Sequence, residues 1–221
     1  MSDHTHHNAS CGCPPSAVSG GYTQTLTELD FTRSLPGAAS ASDLPRVRSL
    51  LASGTSPNVV SPSGYTALHY AARAGDIAMV KALLAAGAET DVGTKSGGAT
   101  PLHRASAAGE SGSVALLLAA EADVGRSDAR GATPLHKAAG NGRKGVVDVL
   151  LDGGCCRSDV CLLRKVDRKG RTPWDLAVEN EVDPAVLDRV DPALCPGGGA
   201  SESGSGGGGG DESGSGGGGD E

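Results

Sequence analysis

The chain has 221 residues, a formal net charge of −7 and an aromatic content of 2%. So few aromatic side chains argue against a β-sandwich or barrel, and against a module that stacks nucleic-acid bases on aromatic rings. The net negative charge argues against electrostatic attraction of the whole chain to nucleic acid or to an anionic membrane surface. No apolar run approaches the roughly 20 residues of a membrane-spanning helix, and residues 1–4 lack the basic start of a signal peptide. We therefore expect a cytoplasmic protein, with the nucleus as an additional compartment.

The first 25 residues are poor in apolar side chains, which predicts a flexible segment. Within ten residues they carry five side chains able to ligate zinc: His4, His6, His7, Cys11 and Cys13. The Cys-x-Cys spacing, however, is not that of the usual structural zinc site. The primary interpretation therefore has no metal and no cofactor, and metal binding by this cluster is the alternative function.

One motif recurs from residue 64 onward and determines the architecture. Gly-x-Thr-x-Leu-His-x-Ala begins at Gly64, Gly98 and Gly131, and a copy with Trp-Asp in place of Leu-His begins at Gly170. The threonines stand at positions 66, 100, 133 and 172, so the steps are 34, 33 and 39 residues. A Leu-Leu pair follows each of the first three threonines, at 83–84, 117–118 and 150–151, and a degenerate copy lies upstream. A period of this length is typical of stacked repeats.

Local signals predict two short helices in each repeat. The threonine can cap a first helix and a following proline suits its first position, while Gly75, Gly109 and Gly142 end it. The Leu-Leu pair lies on a second helix. Because neither helix is long enough to be stable alone in water, each unit must stack on its neighbours.

Two departures from the repeat carry expectations of their own. Glu121 stands where Gly87 and Gly154 stand in other units, so we expect the second helix of that unit to end differently. The last step is six residues longer than the 33-residue step, which predicts an insertion between about residues 154 and 166.

Thr-Pro-Leu-His-x-Ala at 100–105 and 133–138, with Thr-Ala-Leu-His-x-Ala at 66–71, resembles the ankyrin repeat family. The resemblance implies an all-α solenoid of helix–turn–helix units with β-hairpin-like fingers, stacked into a curved slab. It also implies that His69, His103 and His136 bridge backbone groups of the fingers rather than bind a metal. We expect the repeat domain to span residues 26–195, with five units at 31–61, 64–96, 98–129, 131–168 and 170–194.

Residues 196–221 form a separate tail. They contain 14 of the 35 glycines, five acidic residues and no Lys or Arg, so −5 of the net −7 belongs to this segment. With almost no apolar side chains to offset the entropy of the chain, the tail is predicted to be disordered.

The resemblance also implies a binding face, formed by the fingers and the first helices on the concave side. Matching positions to the motif gives ten candidate partner-binding residues: Tyr65, Arg73, Lys95, Arg104, Asp128, Arg130, Lys137, Arg168, Lys169 and Arg171. The later units are rich in Arg and Lys at these positions. This bias predicts a partner with an acidic or phosphorylated segment, since Arg pairs well with such groups.

The predicted function is a non-catalytic scaffold or adaptor for protein–protein interaction, acting as a monomer. The sequence contains no Gly-x-Ser-x-Gly, no phosphate-binding Gly-x4-Gly-Lys and no His-Glu-x-x-His. No catalytic residue is therefore assigned, and neither nucleic acid nor a membrane is expected as a partner.

Overall fold

The computed structural model describes residues 26–154 and 162–191. The His/Cys cluster at residues 4–13 and the acidic tail lie outside this range, so the expectations for them stay predictions. The described residues form helices, apart from an isolated antiparallel bridge between Val60 and Thr66. The helices are α1 (Leu26–Arg33), α2 (Leu35–Ser40), α3 (Leu44–Ala52), α4 (Ala67–Ala74), α5 (Ile77–Ala85), α6 (Pro101–Ala108), α7 (Ser111–Ala119), α8 (Pro134–Gly140), α9 (Lys144–Gly154), α10 (Pro173–Glu179) and α11 (Pro184–Val190), with a short 3₁₀ helix at Leu162–Arg164.

After α1, the helices of the described chain pack as successive pairs, from α2 with α3 to α10 with α11. Each first helix also packs on the first helix of the next pair, and each second helix on the next second helix. The first helices contact one another more extensively, because fully buried alanines such as Ala71, Ala105 and Ala138 allow close approach. The stack therefore curves towards the first helices, and the expected all-α solenoid is confirmed.

The core is a continuous layer between the helix pairs. Leu83, Leu117 and Leu150, the first member of each Leu-Leu pair, are at most 1% exposed. The second members, Leu84, Leu118 and Leu151, are half-buried against the same cluster. Each unit thus buries its apolar face only by contact with its neighbours, as the short helices require.

The expectation that Glu121 changes the end of its helix is wrong. After α5, the N–H groups of Gly87 and Ala88 donate to the carbonyls of Leu84 and Leu83, with Gly87 at φ 81°. After α7, Glu121 repeats this pattern at φ 60°, in a conformation that glycine adopts without strain. The packing of the following Ala122, which is 6% exposed, holds the chain in the same path despite the side chain.

The unequal repeat steps are explained by two loops. We call the turn that precedes each first helix a finger. The chain from the second leucine of a pair to the first residue of the next finger is ten residues long in two units, Leu84 to Thr94 and Leu118 to Asp128. In the last unit, from Leu151 to Asp167, it is sixteen residues long. The six extra residues therefore lie between α9 and the last finger, a stretch that includes residues 155–161 outside the described range. The 34-residue step has a different origin, because the finger from Thr94 carries one more residue than the finger from Asp128.

Candidate protein-binding surface

Each finger is a tight turn closed by its own backbone. The N–H of Asp128 donates to the carbonyl of Ala132 at 2.9 Å, and the N–H of Asp167 donates to the carbonyl of Arg171 at 2.9 Å. Each aspartate also accepts two backbone N–H groups of its own turn through Oδ1, at 2.8 and 3.0 Å. Asp128 and Asp167 therefore hold the fingers in shape.

Neighbouring fingers are joined by backbone hydrogen bonds. The N–H of Ala129 donates to the carbonyl of Gly97 at 2.8 Å, and the N–H of Arg168 donates to that of Arg130 at 2.9 Å. At Gly131 the approach is so close that an added Cβ would stand 2.8 Å from the Arg168 nitrogen. The three later fingers consequently form one ribbon with fixed spacing between their tips.

The three histidines link each unit to the next. In His69 the Nδ1 atom accepts the N–H of Thr66 at 3.1 Å, so Nε2 carries the ring proton and donates it to the carbonyl of Ala99 at 3.0 Å. His103 bonds in the same way to Ala132 at 2.9 Å, and His136 to Arg171 at 3.1 Å. The structural role expected for these side chains is therefore observed, and the rings do not converge on a common point.

Burial sets the protonation of these rings. All three are 1% exposed, and the loss of hydration lowers the pKa of each imidazole, in His69 to about 4. The hydrogen bond to the carbonyl of the next unit opposes this shift without overcoming it. The neutral, bridging form is thus the form present at neutral pH.

Three of the predicted partner residues have their charges engaged within the surface. The Nζ of Lys137 lies 2.8 Å from Asp128, and Arg171 contacts Asp167 at 2.8 Å and Glu179 at 2.7 Å. Although burial alone raises the pKa of Asp128 and of Asp167, the hydrogen bonds they accept outweigh it, and the pKa of Asp167 falls to about 2. Asp128 thus sits inside the finger as an anion rather than at its tip.

Three other predicted residues point outward from the ribbon. The side chains of Arg130, Arg168 and Lys169 are exposed, and no ion pair engages them within residues 26–154 and 162–191. Arg130 and Arg168 occupy neighbouring fingers whose backbones are bonded to each other. The last two fingers therefore present unpaired positive charge at a fixed spacing.

The first units carry an aromatic cluster instead. The rings of Tyr65 and Tyr70 lie 5.5 Å apart, Phe31 lies 6.2 Å from Tyr70, and the Arg104 guanidinium lies 5.1 Å from the Tyr65 ring. We name Phe31, Tyr65, Tyr70 and Arg104 the aromatic cluster; its three aromatic side chains are half-buried. Lys95 and Arg73 are exposed in the same half of the chain, on the finger that starts at Thr94 and on α4.

The sequence interpretation placed Tyr70 at the edge of this surface without including it among the ten candidate residues, and it missed Phe31. Tyr70 follows His69 as Arg104 follows His103, so its repeat position was the available signal. Phe31 lies on α1, before the repeat pattern begins, and nothing in the motif indicates its contact with Tyr70.

Elsewhere in the described chain, no group of three or more His, Cys, Asp or Glu side chains is arranged to hold a metal ion. No helix among the described residues is long and apolar enough to cross a membrane.

The family model for ankyrin repeats (3 copies) matches residues 35–128 and 107–187, which cover most of the described stack. This chain belongs to the ankyrin repeat family. The matches begin at α2 and end within α11, so they contain the three histidine bridges and the fingers.

Two curated relatives share part of this ankyrin chain. Ankyrin repeat domain-containing protein 39 of Homo sapiens is 47% identical over 60 residues, and its Bos taurus counterpart is 45% identical over 60 residues. Each match covers 27% of this chain and 32% of the relative. The chain therefore matches about a third of the length of these relatives. Motifs of this chain such as Thr-Ala-Leu-His-Tyr-Ala at 66–71 and His-Arg-Ala-Ser at 103–106 also resemble ankyrin repeat domain-containing protein 39.

Proposed function

We propose that this chain is a non-catalytic scaffold or adaptor that binds an acidic or phosphorylated protein segment along its finger ribbon. Ankyrin repeats are in general protein–protein interaction modules. The observation that carries the finer proposal is the exposed, unpaired charge of Arg130, Arg168 and Lys169 on two bonded fingers. Guanidinium groups pair bidentately with carboxylates and phosphates, so this spacing suits two anionic side chains of one extended segment.

The acidic groups of the ribbon do not cancel this charge. Asp128 and Asp167 direct their oxygens into the finger turns and towards Lys137 and Arg171. Their negative charge is thus neutralised inside the surface, and the outward potential of the last two fingers is positive although the whole chain is acidic.

The aromatic cluster supports a second contact for the same partner. Tyr65 and Tyr70 offer half-buried ring surface at the other end of the ribbon, with the Arg104 guanidinium beside Tyr65. Such a surface favours an apolar or aromatic side chain. We therefore propose a segment with one apolar anchor and, further along, acidic or phosphorylated residues.

The rigidity of the ribbon supports binding at low entropic cost. Backbone bonds between fingers and the histidine bridges hold the tips before a partner arrives. Only side chains such as Arg130 and Arg168 then need to be ordered, which leaves more of the interaction energy as affinity.

A peptide-binding measurement tests the proposal. A library of labelled peptides that pairs each phosphoserine sequence with its serine counterpart would be screened by fluorescence anisotropy at low salt. The double change Arg130→Glu with Arg168→Glu should weaken binding of the selected phosphopeptides at least about tenfold, since two charge-assisted hydrogen-bonded contacts are lost. Arg48→Glu, at an exposed arginine of α3 that is not among the ten candidate binding residues, is the matched control and should leave affinity nearly unchanged. Equal affinity of the double variant and the unaltered chain at low salt would refute the proposal.

A further inference from the structure

Arg104 is a half-buried cation that no ion pair engages within residues 26–154 and 162–191. Its guanidinium lies 5.1 Å from the centre of the Tyr65 ring. A cation–π contact of this kind engages the charge, but it supplies no oxygen acceptor for the N–H donors of the group. The guanidinium can therefore still pair with an acid.

The next unit shows which group would complete this site. Lys137 occupies the same position as Arg104, directly after the bridging histidine, and its Nζ lies 2.8 Å from Oδ2 of Asp128. Asp128 is the first residue of its finger, whereas the finger before Arg104 begins with Thr94. The Oγ1 of Thr94 accepts the N–H of Ala99 at 3.2 Å, as Oδ1 of Asp128 accepts the corresponding N–H at 3.0 Å. Thr94 thus replaces one carboxylate oxygen and lacks the second, to which the cation of its unit would bind.

The other two described fingers have matched charges. The finger that starts at Ser61 has no carboxylate there, and the residue after the histidine of its unit is the uncharged Tyr70. The last finger starts at Asp167, which pairs with Arg171 at 2.8 Å. Among the four described fingers, Arg104 therefore marks the one unit that has the cation without the carboxylate.

The surroundings of Arg104 favour a carboxylate as the missing group. Its single negative charge equals the charge of one guanidinium, and its two oxygens can accept two N–H groups in parallel. Because Arg104 is half-buried beside Tyr65, water screens such a pair less than it screens a pair at a finger tip. A phosphate dianion would keep an uncompensated charge next to the ring, which is unfavourable.

We propose that the partner segment carries an aspartate or glutamate beside its apolar anchor, and that this carboxylate pairs with Arg104. The contact completes between two chains the ion pair that Lys137 and Asp128 form within one. This acid belongs to the same partner segment, so its presence there rests on the proposed function. It is separate from the anionic groups that contact Arg130 and Arg168, and it fixes the register of the segment at the aromatic cluster.

Binding of defined peptides to the full-length chain tests this contact. Short labelled peptides would carry one leucine and a single glutamate at successive positions on either side of it, with no other acidic or phosphorylated residue. Each would have a glutamine counterpart. In fluorescence anisotropy at low salt, at least one glutamate peptide should bind about tenfold more tightly than its counterpart. This preference should disappear in Arg104→Gln and remain in Arg48→Gln, a control at an exposed arginine of α3. It should also remain in Arg130→Gln with Arg168→Gln, because these peptides carry no group for the finger tips.

Completion of the pair within the chain gives an independent result. Thr94→Asp supplies a carboxylate at the position that Asp128 occupies in the next unit, so it should abolish the glutamate preference. Its effect on the thermal midpoint should be more favourable in the presence of Arg104 than in the Arg104→Gln background. Ser96→Asp, at an exposed residue of the same finger, adds the same charge and should do neither. Circular dichroism of each variant checks that the helices remain folded.

Equal or absent binding within every peptide pair would overturn the proposal, and so would a glutamate preference that survives Arg104→Gln. The same holds if phosphoserine at the glutamate position binds more tightly through Arg104, or if Thr94→Asp shifts the midpoint equally in both backgrounds. Phosphopeptide binding that depends on Arg130 and Arg168 would stand in each case, so this proposal and the proposed function fail separately.

Discussion

Residue 121 has a left-handed backbone conformation with a glutamate side chain. Its φ of 60° and its hydrogen bonds match those of Gly87 after the preceding second helix. For a residue with a Cβ, this conformation costs roughly 1–2 kcal/mol, whereas glycine adopts it freely. The repeat therefore tolerates local strain here because the buried Ala122 fixes the path of the loop.

The change Glu121→Gly should therefore stabilise the folded chain by about 0.5–1 kcal/mol, after allowance for the greater freedom of glycine in the unfolded state. The measurement is the urea midpoint followed by circular dichroism. The control is Ala115→Gly at an exposed position within α7, where glycine should lower stability by about 1 kcal/mol. A loss of stability in both variants would show that Glu121 makes a contact that offsets its strain.

Most single-residue roles of the scaffold could be predicted from the motif. The capping threonines, the glycines after α4 and α6 and the bridging histidines follow from chemistry that recurs at a fixed period. The inward position of Asp128 could not be predicted, because the equivalent finger position holds Thr94 in the preceding unit and only the geometry shows that both cap a turn. The contact of Phe31 with Tyr70 joins a helix outside the repeat to one inside it, so no spacing rule reaches it.

At the scale of the helix pair, stability depends on the interface between successive second helices. Leu117 on α7 is fully buried, while its neighbour Leu118 is half-buried on the same helix. The six-residue insertion after α9 and the extra residue of the finger that starts at Thr94 lie in loops, which leaves the spacing within each helix pair intact. The helices could thus be predicted from the sequence. The positions of the seven added residues become clear only when equivalent loops of the folded units are compared.

The change Leu117→Ala should lower the free energy of unfolding by about 2–5 kcal/mol, because it leaves a cavity in the layer between units. Leu118→Ala is the matched control on the same helix and should cost distinctly less. Thermal melting followed by circular dichroism compares the two, with one cooperative transition expected in each. A melting curve unmoved by Leu117→Ala would contradict the role of this layer in holding the stack together.

At the scale of the whole molecule, the three bridges make stability depend on pH. The folded state keeps the imidazoles neutral, with the pKa of His69 at about 4, while unfolded histidines bind protons below about pH 6.5. The unfolded state therefore binds more protons between these values, and stability falls as the pH is lowered from 7 to 4. Below the ordinary carboxyl pKa, protonation of Asp128 and Asp167 removes further stability down to about pH 2, the pKa of Asp167.

Urea titrations at pH 7, 5.5 and 4.5 should therefore show a decreasing free energy of unfolding, with His69 alone contributing roughly 3 kcal/mol over the full range. His69→Gln, which does not titrate, should be less stable at pH 7 and show a shallower decrease. If the decrease were as steep in His69→Gln as in the unaltered chain, this ring would not be the titrating bridge.

The backbone bonds between fingers have a consequence for how this protein can change over evolution. The ribbon is held by main-chain groups and by the inward carboxylates of Asp128 and Asp167, so the tip side chains of Arg130 and Arg168 contribute little to holding it. Substitutions at the tips can therefore accumulate without loss of folding. Sequence change at these two positions would therefore leave the architecture beneath them unaltered.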